Sequence, residues 1–280
     1  MRRAVLAAGG ELRALPWRAV RDPWPVLVSE LMLQQTQASR VVGPYRAFLG
    51  RFPTPAACAR APVAEVVRAW SGLGYNRRAV HLHAAARAVV RDHHGIVPDD
   101  LDALQALAGV GPYTARAVLA FAFERPVAVV DVNVGRVLTR AVAGTPLSRR
   151  AAQELADDLV PAPQAWLWNQ AILEIGATRC TARRPRCDGC TLRRLCAWRG
   201  SAPGAPDPAA SVARQGRFEG SDRQGRGRLL ATLRVGPVSS SALATACGWP
   251  DDADRARRAA DGLVRHGLAR RGRGGTLRLP

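Results

Sequence analysis

Three groups of residues in this sequence are of types, and at spacings, that could do chemistry. Cys180, Cys187, Cys190 and Cys196 form C-x6-C-x2-C-x5-C. Thiolates this close in the chain can wrap one polynuclear centre, and soft sulfur ligands select iron–sulfur clusters, a [4Fe–4S] cluster taking four of them. Structural zinc usually draws on two C-x2-4-C units. One such pair is present, so zinc stands as the alternative. Arg179, Arg183, Arg184, Arg186, Arg193 and Arg194 interleave with these cysteines, and a cluster would stiffen a loop that presents cations to phosphates. The second group is Asp131, set in Val129-Val130-Asp131-Val132-Asn133-Val134. A carboxylate among branched aliphatics is costly unless hydrogen-bonded. It has either a chemical role or a helix-capping one, with Asn133 and Tyr113 then serving as local packing. The third is Leu107-Ala108-Gly109-Val110-Gly111-Pro112-Tyr113-Thr114-Ala115, where Gly109 and Gly111 allow a tight turn and the N–H groups opening the next helix can receive an anion. On its own a G-x-G is equally just a turn. Cys58 and Cys247, each alone among apolar residues, read as ordinary buried thiols.

The elements that must position these residues read as helices. Apolar side chains recur at helical spacing in Val26–Leu33, Val63–Trp70, Val80–Val90, Leu101–Leu107 and Ala115–Phe123, separated by Gly and Pro, with no strand-like alternation of any length. Residues 1–198 are therefore expected to form an all-α domain. The stretch 199–227, rich in Gly, Pro, Ala, Ser and Arg, is expected to be a flexible linker. Residues 228–280 follow as a small second domain, with helical patterns in Arg228–Arg234, Ser240–Cys247 and Asp252–Gly267 and a hairpin-like tail, Ala269–Leu279. That order is winged-helix-like, and such a module either binds DNA or docks protein.

The formal net charge is +19 over 280 residues, and every basic side chain other than histidine is an arginine. Such a surplus attracts polyanions through a long-range field, making nucleic acid the leading partner. No apolar run approaches the roughly 20 residues of a membrane span, and the N-terminus is too short for a signal peptide, so no membrane partner is expected and a cytoplasmic, nucleoid-associated location is. Four cysteines crowded into one loop in such a reducing compartment read as metal ligands rather than disulfides.

Taken in order, L-x-G-V-G-x-x-T-A, V-D-x-N-V and the cysteine spacing resemble the helix-hairpin-helix DNA glycosylase superfamily, specifically its endonuclease III and MutY branches. Ser29-Glu30-Leu31-Met32-Leu33-Gln34-Gln35-Thr36-Gln37 and Leu15-Pro16-Trp17-Arg18 resemble segments of the adenine glycosylases. The resemblance covers about residues 12–198 and implies base excision from a duplex holding an adenine opposite 8-oxoguanine or guanine. It assigns Glu30 as the acid that protonates the departing adenine, which requires burial that raises its pKa. Asp131 becomes the anion that stabilises or captures the oxocarbenium-like sugar, with Asn133 orienting it and Tyr113 completing the hydrogen-bonded set. Trp17, Arg18, Leu33 and Gln170 are assigned to the adenine pocket, an amide being able to read an adenine edge, although Trp17 could equally be core. Gln34 and Gln35 are assigned to DNA, Gln35 entering the gap left by the flipped nucleotide, and Gly109 and Gly111 to phosphate.

The endonuclease III branch carries at the hairpin a Schiff-base lysine where this chain has Tyr113. With no lysine in the sequence, that lyase route is chemically closed. The chain departs from many relatives at Ala108, Val132 and Gly135, which implies a weaker phosphate grip, and its tail is too short for the Nudix-like domain that checks for 8-oxoguanine. A monomer is expected. Two other functions stay open: a glycosylase of the same fold acting on another mismatch, such as T opposite G, and a non-catalytic redox-sensing DNA-binding protein, which would need neither Glu30 nor Asp131.

Overall fold

The computed structural model describes residues 1–200, 204–210 and 216–280. The chain divides into two compact units, one made of residues 1–30, 99–106 and 110–213, the other of 31–98, 107–109 and 214–280. Both are dominated by helices, joined by turns that Gly and Pro punctuate.

In the first unit the helices Arg2–Ala7, Pro112–Phe121 and Val132–Leu138 pack against Ala165–Glu174. Val5, Val134, Leu138, Ala156, Trp168 and Ile172 are the centre of that core. Two π-helical turns, Thr139–Ala143 and Ile175–Arg179, extend the Val132–Leu138 and Ala165–Glu174 helices. The second of them ends at Cys180. Pi-helical turns of this kind shift the register of the downstream residues, and here they steer the chain into the cysteine loop. The helix Pro23–Leu33, which carries Glu30, opens with its Trp24 N–H donating to Asp22 Oδ1 at 2.9 Å. The periodicity reads as amphipathic, but every residue from Val26 to Met32 is buried, Ser29 and Glu30 included. A helix buried on all sides runs through a core rather than along its surface.

The second unit contains the helices Ala38–Arg51, Pro55–Arg60, Val63–Ala69 and Arg77–Asp92. It also contains the C-terminal helices Asp222–Val235, Leu243–Cys247 and Ala253–Arg265. An antiparallel hairpin closes the chain, pairing Arg270 with Arg278 and Arg271 with Leu277, and Val238 bridges to Leu277 from the other side. Leu229, Leu230, Leu233, Leu243, Leu263 and Leu277 are buried between these elements. The first of the C-terminal helices starts at Asp222 rather than Arg228, because Ser221 caps it by accepting from Gln224 N–H. Part of the stretch expected to be linker is also held in place: Asp207 accepts from Arg140 Nε at 2.9 Å and Nη2 at 2.5 Å. Residues 201–203 and 211–215 of that expected linker lie outside the described residues.

Candidate active site

Glu30 is 4% exposed, and Tyr113 donates its hydroxyl proton to the Glu30 carboxylate. Burial, followed by the negative charge of Asp131, pushes the Glu30 pKa up to about 8, with the Tyr113 hydrogen bond opposing the rise. Glu30 Oε2 is buried with no hydrogen-bond partner among the described residues. A carboxyl in this state keeps its proton at neutral pH and has an oxygen left over to deliver it. Tyr113 sits in the first turn of Pro112–Phe121, and burial and the two carboxylates push its own pKa upward, so it stays a donor.

Asp131 is both cap and candidate catalyst. It is the N-cap of Val132–Leu138: Oδ1 accepts from Asn133 N at 2.8 Å and Val134 N at 2.7 Å. Oδ2 accepts from Asn133 Nδ2 at 2.7 Å. Three N–H donors hold this carboxyl at the opening turn of the helix. The two carboxyls thus differ in their surroundings: Glu30 is buried with one oxygen unpartnered among the described residues, whereas Asp131 is held by three N–H donors. That contrast marks acid and anion in glycoside cleavage.

Several side chains that hold this pair carry no motif in the sequence. Asn133 Oδ1 accepts from Arg136 Nη2 at 2.8 Å; the same guanidinium donates to Gly176 O at 2.7 Å and, through Nε, to Cys180 O at 2.7 Å. The helix and the π-turn approach so closely that a Cβ on Gly176 would stand 2.8 Å from the Asn133 Cβ. Behind Asp131, fully buried Asn169 accepts from Val129 N at 2.8 Å and donates to Val127 O at 2.9 Å, fixing the segment that delivers the acid. The i,i+3 spacing of Asn133 and Arg136 on one helix is the signal that could have been read.

Arg18 and Gln170, both assigned to the base pocket, meet: Arg18 Nε donates to Gln170 Oε1 at 2.8 Å. Because a guanidinium only donates, this contact orients the amide with its nitrogen away from Arg18. Glu174, missed in the sequence, is 4% exposed and binds Arg18 Nη2 at 2.7 Å and Arg13 Nε at 2.5 Å. It lies one helical turn past Gln170 on the same helix, a spacing that could have pointed to it. Trp17 is buried at 7% exposure, which puts its ring largely with the core.

Cys180, Cys187, Cys190 and Cys196 line a single cavity, together with Arg140, Ala141, Leu192 and Trp198. Arg140, 1% exposed, donates to Cys180 Sγ at 3.5 Å, and its own carbonyl accepts from Cys196 Sγ at 3.4 Å. Cys58 and Cys247 are buried, and burial pushes the Cys247 thiol up to about 11 and that of Cys58 to about 12.

Of the remaining assigned residues, all but Gly111 belong to the second unit. Leu33 ends its helix half-buried, Gln34 Nε2 donates to Gly109 O at 3.2 Å, and Gln35 is exposed at φ 55°. Arg78, 6% exposed, holds that strained turn. Its Nη1 donates to the carbonyls of Leu31, Met32 and Gln34 at 2.6–2.8 Å, satisfying helix-end acceptors. Its Nη2 donates to Gly74 O at 3.1 Å, next to Tyr75, which is 45% exposed at φ 43°. Gly109 has φ +80°, the left-handed region that glycine enters without strain. Gly111, in the first unit, is the extended N-cap of Pro112–Phe121.

Comparison with known proteins identifies the family. Residues 28–162 match the HhH-GPD superfamily of base excision DNA repair proteins. An adenine DNA glycosylase of Mycobacterium tuberculosis is 45% identical over 277 residues, covering 96% of this chain and 89% of the relative. One of Mycolicibacterium smegmatis is 46% identical over 263 residues, covering 91% and 87%. Among solved structures, a thermostable thymine-DNA glycosylase is similar with a TM-score of 0.68 and 32% identity, over 71% of this chain and 94% of that one. The chain belongs to the adenine DNA glycosylase family, within the HhH-GPD superfamily of base excision DNA repair proteins.

Proposed function

We propose that this protein removes adenine mispaired with 8-oxoguanine or guanine by hydrolysing the bond from base to sugar, leaving the strand intact. The observation that carries this reading is the pairing of a proton-retaining, buried Glu30 with a hydrogen-bonded, capped Asp131. Flipping the nucleotide costs a few kcal/mol, least at a mispair. Arg18 and Gln170 then hold the base, the Gln170 nitrogen facing its acceptor edge. Glu30 transfers its proton to a base nitrogen, so the adenine leaves neutral. The Asp131 carboxylate stabilises the positive charge that develops on the sugar while Tyr113 keeps its hydrogen bond to the ionised Glu30; water then adds to the sugar carbon and its proton returns to Glu30. Gln35 fills the gap in the stack, and exposed Tyr75 offers an aromatic face to neighbouring bases.

The four cysteines fit a [4Fe–4S] cluster. Their thiols ring a cavity beside the buried Arg140 cation, an environment that suits an anionic centre. The cluster would supply structural order to the loop and its arginines. Among the described residues no helix is long and apolar enough to cross a membrane. The protein acts as a monomer on duplex DNA.

The test is incubation with duplexes carrying adenine opposite 8-oxoguanine, G, C or T, and T opposite G, followed by hot alkali to reveal abasic sites. Excision of adenine opposite 8-oxoguanine or G is expected. Excision of T opposite G alone would transfer the reading to the thymine-specific relatives.

A further inference from the structure

Gly109 of the hairpin lies against a group of basic side chains collected from two distant stretches of the second unit. His81, on the Arg77–Asp92 helix, packs so closely that a Cβ on Gly109 would stand 2.7 Å from its own Cβ. From the C-terminal helices come Arg226, Arg265 and His266. Arg226 Nη2 donates to His266 Nδ1 at 2.6 Å, which requires the neutral, accepting form of that ring nitrogen. The charges of Arg226, Arg77, Arg265 and His81 all bear on His266. A Cβ on Gly267, the next residue, would lie 3.4 Å from Val80 on the same helix as Arg77 and His81.

Among the described residues, the charges that bear on His266 are all positive, and one carboxylate bears on Arg226. The carboxylate whose charge reaches Arg226 is Asp222, already paired with Arg255 at 2.7 Å. Arg226 Nε is buried with no hydrogen-bond partner among the described residues. Burial first, then the neighbouring cations, hold His266 below its ordinary pKa; burial and then Arg77 do the same to His81. Like charges gathered at the cost of mutual repulsion, with a donor left over, are the mark of a site completed by an anion.

The C-terminal helices are also fixed where this requires. Arg234 Nη2 donates to Asn76 Oδ1 at 2.8 Å and its Nε to Val67 O at 3.3 Å, while Arg68 Nε donates to Arg234 O at 3.4 Å. Asn76 is the residue before Arg77, so the same contacts brace the turn that starts the His81 helix.

We infer that the C-terminal segment is part of the duplex-binding surface, with Arg226, Arg265 and His266 joining Arg77, His81 and the Gly109 backbone in one composite site for phosphodiester groups of DNA. It takes the backbone of a duplex whether or not a mispair is present, and so supplies affinity rather than base choice. The inference rests on the reading of the protein as a DNA glycosylase but is tested apart from excision.

The experiment is fluorescence-anisotropy binding of the full-length protein to an undamaged duplex across a salt series, alongside single-turnover excision on the adenine mispair. Each phosphate that is no longer neutralised should reduce the slope of log K against log salt by about 0.9. Arg226→Met/Arg265→Ala is therefore expected to lose about 2 in slope and to bind at least about tenfold more weakly at low salt. Arg265→Ala alone, at an exposed position that cannot unfold the segment, should lose about 1. Arg258→Ala, exposed on the same helix but outside the cluster, should leave the slope unchanged. A wild-type slope in Arg265→Ala, or an equal loss in Arg258→Ala, would overturn the composite site. Absence of excision by the wild type on every mispair would instead overturn the functional reading, with the slopes still deciding this one.

Discussion

Replacing Glu30 by Gln should inactivate the protein and stabilise it at the same time. The carboxyl goes from an ordinary value of 4.5 in the unfolded chain to about 8 in the fold. A folded-state pKa above the unfolded one means that the native protein holds the proton more tightly. This contribution is fully present below pH 4.5 and is lost as pH rises towards 8. At pH 7 the lost stability is about RT ln[(1 + 10^2.5)/(1 + 10^−1)], or about 3 kcal/mol, and it levels off at about 5 kcal/mol above pH 9. Gln keeps the neutral form at every pH. The Glu30→Gln variant should therefore match the wild type in thermal stability near pH 4 and exceed it by up to about 3 kcal/mol at pH 7, at about 2–4 °C per kcal/mol. Paired melts at pH 5, 7 and 9 measure the widening gap. A variant that melts at or below the wild type throughout that range would show that Glu30 is ionised and paired in the fold, and the proton-donor assignment would fall with it. The wild-type excision rate carries the same signature: a decline of about tenfold per pH unit above about pH 8.

Asp131→Asn should abolish excision in single-turnover assays while mispair binding, measured by gel shift, stays within a few fold. Arg136→Leu, which frees Asn133 from Gly176 and Cys180, and Gly176→Val, which intrudes on Asn133, should each slow excision by about 10²-fold through misplacement of Asp131; near-normal rates in both would show that Asp131 needs no such support. With no lysine available, borohydride added during turnover should trap no more than a trace of protein–DNA adduct, and strands should break only after alkali or heat; efficient trapping would point to the Met1 amine. Protein purified anaerobically should be brown, with broad absorption near ~400 nm, whereas a colourless protein with one equivalent of zinc would reassign the cysteine loop.

Much of the chemistry is legible in the residues alone. Asp131 stands out because a carboxylate among valines is costly wherever it sits, and the cysteines because four thiols so close in the chain invite a shared soft-metal centre. The C-terminal helices and hairpin are readable because periodicity and glycine placement are local properties of the chain. Even the competing explanation of Asp131 as a helix cap is met in the structure, where its Oδ1 accepts from the Asn133 and Val134 N–H groups.

Other properties depend on residues far apart in sequence. The Pro23–Leu33 helix reads as amphipathic, yet it is buried all round, because what covers a helix is decided by its neighbours and not by its own period. Glu30 acquires its raised pKa from that burial and from Asp131, 101 positions away. Glu174, Asn169 and Arg136 carry no motif and take on meaning only where the fold sets them against Arg18, Val129 and Asn133. The C-terminal segment, readable as a separate module, instead shares a compact unit with residues 31–98 and brings His266 beside Arg77. Residue type and short-range spacing are written in the chain, so the chemistry available can be named from it. Protonation state, orientation and shared surfaces are sums over groups brought together by packing, and only the tertiary structure decides them.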